Sequence, residues 1–414
     1  MDASEISKSI ESIGSRDSMI RYLDGYASDR LDELSTSKTK RPLVKTYMLE
    51  HVGNSGNQKS IHEVFNKIGI TTQQIDDGLF KLCDKRSRYG YMGFIETINP
   101  RFFFLYTMHH SQLVDSWTIN AVQESSDLDH IWLSGITFEG LWQELFKSSP
   151  PNRYTRINTY HESFYATDED NDAVEDRDDS HFSEQGSAKS SMDKRVSQFQ
   201  FKDKVVVART TLATLQEAYK PLYAVNQIRV PALGRGGHDF YDYGKVTNRS
   251  SDFIGHRNVV LYIQRIYETL VDETEELAWF SATERQEGRE TIGAPVWIFF
   301  NERLSEETFN NWITLTFNHL KNRFRLWGKP ISMGNTKVQV YGVDQHLWKP
   351  IDLEFTDEYL MAIIPYGTCG NTVHRLVRNI QRYIAPNPHV YIGDINMTDI
   401  VEKAINKTSE NAKG

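Results

Sequence analysis

Cysteine is scarce in this sequence: only Cys83 and Cys369 occur among 414 residues. Two thiols argue against a disulfide framework and favour a reducing compartment. No apolar run approaches the roughly 20 residues that a membrane-spanning helix needs. The opening segment MDASEISKSI is acidic and polar, which is unlike a secretory signal. We therefore expect a cytoplasmic protein without a membrane partner.

Positive charge is also in deficit, with 47 basic against 56 acidic residues and a net charge of −9. Segment Asp168–Glu184 has nine acids and one arginine, a net charge of −8, so the remaining residues sum to about −1. Its low hydrophobicity predicts a disordered acidic insert over 166–195. A calcium loop is the alternative, because aspartates alternate from Asp168. However, Ala173 and Asp179 replace the glycine and glutamate of such a loop.

A complete phosphate-binding loop is missing from the segment HVGNSGNQKSIHEVF, His51–Phe65. Gly53 and Lys59 fit that motif, but Gln58 replaces the glycine that lets the backbone approach a phosphate. Apolar residues at helical spacing over 41–52 predict a helix where the motif needs a strand. We therefore expect no ATP hydrolysis at this loop.

The N-terminal quarter of the chain shows a regular order of predicted elements. An amphipathic helix, DSMIRYLDGYASDRLDEL, comes first, and RPLVKTYMLEHV, SIHEVFNKIG and GITTQQIDDGLFKLCDKR are predicted as three further helices. YGYMGFIETI and RFFFLYT are predicted as two strands around an Asn-Pro turn. Three helices followed by a two-stranded wing is the order of a winged helix.

Residues 41–107 therefore resemble a winged-helix (wHTH) module. Similar modules follow the ATPase domain of P-loop NTPases and occur in transcription regulators, whereas the remainder of the chain resembles no family known to us. The resemblance implies a docking or DNA-binding role, with an NTPase or a DNA-bound assembly as partner. The outward face of the third predicted helix carries the protein-contact candidates Gln73, Asp77, Phe80, Lys81 and Asp84. The entry to the wing carries the DNA-contact candidates Lys85, Arg86 and Arg88.

The remaining sequence mixes helical and extended patterns in no fixed order. QFQFKDKVVVART, LYAVNQIRV, VWIFF, KVQVYGV and YLMAIIP are predicted as extended, and long helices are predicted after Ser251, from Ser305 to Trp327 and from Asn371 to Ile384. The predicted class is α+β, with an N-terminal winged helix and a mixed α/β C-terminal region whose sheet is antiparallel or mixed. The predicted units are 1–108, the connector 109–165, the insert 166–195, two α+β regions 196–290 and 291–400, and a flexible tail 401–414.

Two segments contain residue types suited to catalysis. Cys369 stands at the predicted start of a helix, where the thiol pKa would be lowered, and His374 follows it. His238 and Asp239 follow a glycine-rich turn in ALGRGGHDFYDYGK, but adjacent residues in a strand point apart. An ordinary turn and a flexible aromatic-rich loop are the simpler interpretations. We predict no catalytic residue, no metal site and no cofactor.

A stripe of positive charge is predicted on the helix that follows Cys369. Arg375, Arg378 and Arg382 are spaced by three and four residues, so they share one face, and Thr372 stands in the first turn. These four residues are candidates for an anion or nucleic-acid patch. Together these observations favour a non-catalytic interaction or regulatory protein that docks on a protein partner. A DNA-binding regulator and an enzyme built around Cys369 or His238 are the alternatives.

Overall fold

The structure, a computed structural model, describes residues 3–36, 42–52, 61–84, 90–147, 149–163, 195–285, 288–317 and 322–411. The helices are α1 Ala3–Ser12, α2 Arg16–Thr36, α3 Ile61–Lys67, α4 Ser111–Glu124, α5 Gly135–Lys147, α6 Val205–Ala218, α7 Phe253–Ala278, α8 Glu306–Phe317, α9 Asn371–Tyr383 and α10 Met397–Asn411.

The strands of the N-terminal part are β1 Lys45–His51, β2 Thr71–Asp76, β3 Leu79–Asp84, β4 Gly90–Thr97, β5 Phe102–Thr107, β6 Leu128–His130, β7 Tyr154–Ser163, β8 Arg195–Lys204, β9 Val225–Pro231, β10 Gly237–Tyr241 and β11 Lys245–Asn248. Those that follow are β12 Trp279–Arg285, β13 Gly288–Ile292, β14 Val296–Phe299, β15 Leu326–Gly328, β16 Ile331–Gly334, β17 Lys337–Asp344, β18 Lys349–Thr356, β19 Tyr359–Pro365, β20 His389–Ile392 and β21 Ile395–Asn396.

Two large sheets carry the fold. The first has eleven strands in the order β2-β3-β4-β5-β1-β11-β10-β9-β7-β8, with β6 paired to β1. The second has ten strands, centred on β17-β18-β19-β14-β20. Strand pairs in the described part of the chain are antiparallel except for β12 with β19. Helix α7 is buried along much of its length and contacts β11 of the first sheet and β19 and β20 of the second. The predicted α+β class is confirmed.

The element order at the N-terminus differs from the winged-helix prediction. Strand β1 lies where the first helix of the module was expected, and β2 and β3 form a hairpin where its third helix was expected. Both helix predictions are wrong, and the winged helix is not confirmed. Every residue of β1 is buried, so its apolar residues follow no strict alternation. The hairpin turns at Asp77-Gly78, where Gly78 has φ +61°.

Most of the other predicted elements occur where the sequence places them. The helices predicted over α2, α7 and α9 are confirmed, as is the hairpin of β4 and β5. The segment QFQFKDKVVVART, predicted as extended, is a strand only in its first part, because helix α6 begins at Val205. The helix predicted from Ser305 to Trp327 does not reach Trp327, which lies in strand β15. The tail predicted as flexible over 401–414 is helical as far as Asn411, and Ala404 and Ile405 of α10 are buried.

The acidic segment 166–195 falls almost wholly outside the described residues, of which only Arg195 belongs to it. The two strands that flank it pair with each other: β7 and β8 are antiparallel from Tyr154 with Lys204 to Ser163 with Arg195. The first sheet also runs from β1 to β11 and so crosses the predicted boundaries at residue 108 and around the insert. Within the part of the chain that is described, no helix is long and apolar enough to span a membrane.

Candidate functional site

The arginine stripe of α9 faces the interior, so the prediction of a surface patch is wrong. Arg375 is fully buried and forms ion pairs with Asp129 and Asp344, and Thr372 donates a hydrogen bond to Asp344. Burial alone would raise the pKa of Asp129, but the charges of Arg325 and Arg375 hold it well below its ordinary value. The carboxylates come from distant segments, which is why the helix sequence alone suggested a solvated stripe.

The other two arginines of the stripe are buried around a third carboxylate, that of Asp242. Arg378 Nε donates to Asp242 Oδ2 over 2.8 Å, and Arg382 Nη1 lies 3.8 Å from the same oxygen. The Arg382 guanidinium stacks on Tyr160 and contacts Tyr383, with 4.5 and 5.5 Å to the ring centres. Together with the Asp129 and Asp344 pairs, these contacts place all three arginines of α9 in buried ion pairs. The arginines are therefore unavailable to a macromolecular ligand.

The protein-contact surface predicted on the third helix is also wrong, because that helix is the β2–β3 hairpin. Phe80 is only 9% exposed and packs edge-on against His62, and Lys81 is buried with Nζ donating to the Glu11 carbonyl over 2.6 Å. Gln73 and Asp77 are exposed and Asp84 is half-buried. Because β3 is covered on both faces, it cannot present Phe80 as an anchor. Lys85, Arg86 and Arg88 lie outside the described residues.

Cys369 lies beside Glu50 rather than in a nucleophilic site. Its thiol donates to Glu50 Oε2 over 3.3 Å, and Arg101 Nη2 lies 3.4 Å from the sulfur. Burial and the negative charge of Glu50 raise the pKa of this thiol well above its ordinary value, contrary to the lowered pKa that we predicted. His374 contacts Thr274 Oγ1 at 3.2 Å, and burial lowers its pKa to about 3. This arrangement does not favour catalysis by Cys369.

His238 and Asp239 point to opposite faces of the sheet, as adjacent strand residues do. The flexible loop predicted around them is wrong, since both residues belong to β10 and are buried. The His238 Nδ1 atom lies 3.1 Å from Nδ1 of His256, and burial lowers the His238 pKa to about 4. Asp239 faces a group of arginines instead.

Three arginines converge on the Asp239 carboxylate. Arg229 donates from Nε to Oδ1 over 2.6 Å and from Nη2 to Oδ2 over 3.0 Å. Arg249 Nε also bonds to Oδ2, and Arg156 Nη2 lies 3.4 Å from it. Burial would raise the pKa of Asp239, but the Arg229 hydrogen bonds and the three positive charges hold it below its ordinary value. One negative charge thus faces three positive charges.

The sheet register explains how these positive charges come together. Lys202 of β8 pairs with Arg156 of β7, which pairs with Arg229 of β9, which pairs with Asp239 of β10. Directly opposed residues share one face of a sheet, so three cations stand side by side in a row across the strands. Like charges in opposed positions destabilise a sheet. The Asp239 carboxylate lies at the end of the row, where Arg229 and Arg156 approach it.

Two residues of this row, Lys202 and Arg229, line a surface cavity of about 430 Å³, which we call the basic cleft. Its described lining includes five positively charged residues and no acidic one; the five are Arg30, Arg153, Lys202, Arg229 and Arg249. Arg153 Nη2 also donates to the Gly236 carbonyl over 3.2 Å. Tyr154 lines the cleft with 56% of its surface exposed, and the ammonium of Lys202 lies 5.7 Å from its ring centre.

A larger surface cavity of about 510 Å³ lies between α5, α6 and α10. Its charged lining includes both signs, among them Glu139, Glu402 and Arg209. No row of like charge enters it, so its chemistry indicates no particular ligand. The basic cleft is therefore the stronger candidate site, although it is the smaller of the two.

The basic cleft is not evident from the sequence, because each of its cations comes from a different part of the fold. The alternation of Tyr154 and Arg156 in β7 does place both residues on one face of a strand. The partners of that strand, however, depend on pairing across the acidic segment, which the sequence pattern does not specify.

One group of described residues has the composition of a metal site. Glu50, His346 and Cys369 each offer one ligand atom, and these three atoms lie within 4.8 Å of one another. All three residues are buried. They come from β1, from the turn between β17 and β18, and from the segment before α9. No sequence motif indicates this group, since hundreds of residues separate Glu50 from the other two.

Comparison with known proteins gives a match over most of the chain. The model of a protein family described as MJECL33-like protein matches residues 7–398. The chain is similar to the uncharacterized protein MJECL33 of Methanocaldococcus jannaschii, with 23% identity over 421 residues that cover 92% of this chain and 95% of that protein. No solved structure matches. The family match spans both sheets.

Proposed function

This chain belongs to the MJECL33-like family, and we propose that it is a non-catalytic binding protein whose basic cleft takes the phosphate backbone of a nucleic acid, alone or within a larger assembly. The observation that carries the proposal is the row of Lys202, Arg156 and Arg229 across three neighbouring strands. A row of like charges on one face of a sheet attracts a polyanion, and phosphates bound there would interact with several cations at once.

The cleft has two further properties that suit a nucleic acid. Four of its five cations lie on or beside paired strands, and Arg30 lies in helix α2, so little loop entropy is lost on binding. Tyr154 offers an exposed ring next to Lys202 and Arg153, and bases of single strands stack on aromatic rings while cations hold the phosphates. A single-stranded segment is therefore the ligand that we propose.

The proposal differs from the protein-docking function favoured by the sequence. That function depended on Phe80 as an exposed anchor, and Phe80 is buried. A cytoplasmic location remains part of the proposal, and the free thiols of Cys83 and Cys369 support it.

Titration of a labelled single-stranded oligonucleotide, followed by fluorescence anisotropy at several salt concentrations, tests the proposal. We expect affinity to fall with salt, with a logarithmic slope of about −0.7 for each phosphate that is neutralised. Lys202→Gln and Arg153→Gln should each weaken binding several-fold and reduce that slope by about 0.7. Tyr154→Leu should weaken binding without changing the slope, because stacking releases no counterions.

Lys147→Gln is the matched control, since it also removes one exposed cation but lies at the larger cavity. It should bind like the parent chain. The proposal fails if the parent does not bind at low salt, or if Lys147→Gln weakens binding as much as Lys202→Gln does. Competition by inorganic polyphosphate that equals competition by unlabelled oligonucleotide would identify a general polyanion site instead.

A further inference from the structure

Glu50, His346 and Cys369 meet at the junction of the two sheets. Glu50 lies in β1 of the first sheet, and His346 lies in the turn that joins β17 to β18 of the second sheet. Cys369 precedes α9 by two residues. The side chains of Glu50 and His346 have no exposed surface, and Cys369 is 2% exposed.

The ring of His346 is oriented as in metal-binding histidines. Its Nδ1 lies 3.0 Å from the Ser126 carbonyl oxygen, which can only accept a hydrogen bond, so the proton resides on Nδ1. The lone pair is then on Nε2, which is buried and has no hydrogen-bond partner among the described residues. Nε2 faces Glu50 Oε2 at 3.8 Å. A carbonyl that accepts from the opposite nitrogen is the usual support of a histidine ligand.

The separations between the ligand atoms fit a small tetrahedral metal ion. Bonds of about 2.0–2.3 Å at tetrahedral angles place ligand atoms about 3.3–3.8 Å apart. Glu50 Oε2 lies 3.3 Å from Cys369 Sγ and 3.8 Å from His346 Nε2. One carboxylate oxygen is therefore already at ligand distance from both other atoms.

The neighbouring charges also balance once a divalent ion is added. Arg101 Nε binds Glu50 Oε1 over 2.6 Å, which leaves Oε2 available, and Arg101 Nη2 binds Glu275 Oε1 over 2.6 Å. The carboxylate of Glu50, a Cys369 thiolate and a divalent cation sum to zero, as do Arg101 and Glu275. Arg101 Nη2 lies 3.4 Å from the sulfur, where it would donate to the thiolate.

We infer that Glu50, His346 and Cys369 bind one Zn²⁺ ion, which joins β1 of the first sheet to the β17–β18 turn of the second. Thiolate, imidazole and carboxylate together match the ligand preference of zinc, and three protein ligands leave one position for a water molecule. The buried thiol loses its proton to bulk water when the metal binds, as the thiolate is the ligand.

Metal analysis of the untagged full chain tests this inference, together with a cobalt-substituted sample. We expect stoichiometric zinc in the purified protein. The cobalt form should show the near-ultraviolet charge-transfer absorption of a cobalt–thiolate bond. The sequence has only two cysteines, so Cys83→Ser is the matched control. It should keep the metal and the absorption, which assigns the bond to Cys369 without any change at the site.

Cys369→Ser and His346→Gln should both lose the metal, and the absorption should disappear with the sulfur ligand. Circular dichroism shows whether each variant folds, and the Cys83→Ser result decides the matter if neither does. A parent chain that binds neither zinc nor cobalt overturns the inference. So does a thiolate absorption that disappears in Cys83→Ser, or a metal that stays bound in folded Cys369→Ser and His346→Gln.

Discussion

At the scale of single residues, the buried ion pairs of Arg375 should contribute strongly to the free energy of unfolding. Arg375→Met keeps most of the side-chain volume but leaves Asp344 and part of Asp129 without a buried cation. Breaking a buried ion pair by removing one partner costs about 3–5 kcal/mol. We expect the free energy of unfolding to fall by about that amount in urea titrations.

Arg303→Met is the matched control, because Arg303 pairs with Asp357 and Glu358 at the surface and its side chain is 67% exposed. Exposed pairs contribute about 0–1 kcal/mol. A loss at Arg375 no greater than the loss at Arg303 would show that the buried charges are solvated or neutralised in another way.

The site residues differ in how far sequence alone could identify them. The spacing of Arg375, Arg378 and Arg382 correctly placed them on one helix face, but helical periodicity does not say whether a charged face is solvated or paired. The answer depended on Asp129, Asp344 and Asp242, and nothing near α9 in the sequence points to them. The basic cleft and the Glu50 group were not predicted for the same reason, because each combines residues that are far apart in the sequence.

At the scale of elements, the hairpin of β7 and β8 predicts the effect of removing the acidic segment. Its last described pair is Ser163 with Arg195, so a two-residue Asn-Gly turn can replace residues 164–194 without stretching either strand. The loop shortens from 31 to two residues, about a sixteenfold reduction, so closing it costs less conformational entropy. At about 0.6 kcal/mol per twofold change in length, this should stabilise the fold by about 2 kcal/mol. The change is measured as a higher urea midpoint with little change in slope.

The parent chain with and without calcium is the control for that deletion. The sequence predicts a disordered insert, so calcium should not change the melting temperature of either protein. A lower stability after deletion, or a calcium-dependent melting temperature in the parent alone, would show that the insert contributes structure.

Helices with one apolar face were predictable, and fully buried strands were not. The apolar residues of α7 repeat with helical period, and Asp252 caps the helix by accepting from the Gly255 N–H over 2.8 Å. Strand β1 is buried on both faces, so Tyr47 and Met48, with Leu43 and Val44 just before the strand, matched helical spacing by accident. The β2–β3 hairpin did carry a usable signal, the Asp77-Gly78 pair, which is a preferred two-residue turn.

At the scale of the whole molecule, buried histidines predict sensitivity to mild acid. Burial lowers the pKa of His374 to about 3 and the pKa values of His130 and His238 to about 4. The unfolded chain binds these protons near pH 6.5, so the stability contributed by each neutral ring is complete above that pH. It is lost progressively as the pH falls towards the folded value.

His374→Gln should therefore reduce the loss of stability between about pH 7.5 and pH 5 by about 2 kcal/mol. Urea unfolding at several pH values measures it. The exposed His389, changed to Gln, is the control and should leave the pH dependence as it is in the parent. An unchanged pH dependence in His374→Gln would mean that this ring is already protonated in the native state or stays neutral after unfolding.

The ionic contacts of α9 have a consequence for synthesis on the ribosome. Asp129 and Arg375 are 246 residues apart, and ribosomes add about 5–20 residues per second. Arg375 is therefore synthesised tens of seconds after Asp129. The interval between Glu50 of β1 and its neighbour Cys369 is longer still, because 319 residues separate them. Throughout that interval the emerging sheet holds charges that it cannot bury. We therefore expect the nascent N-terminal half to stay incompletely folded, and open to chaperone binding, until α9 leaves the exit tunnel.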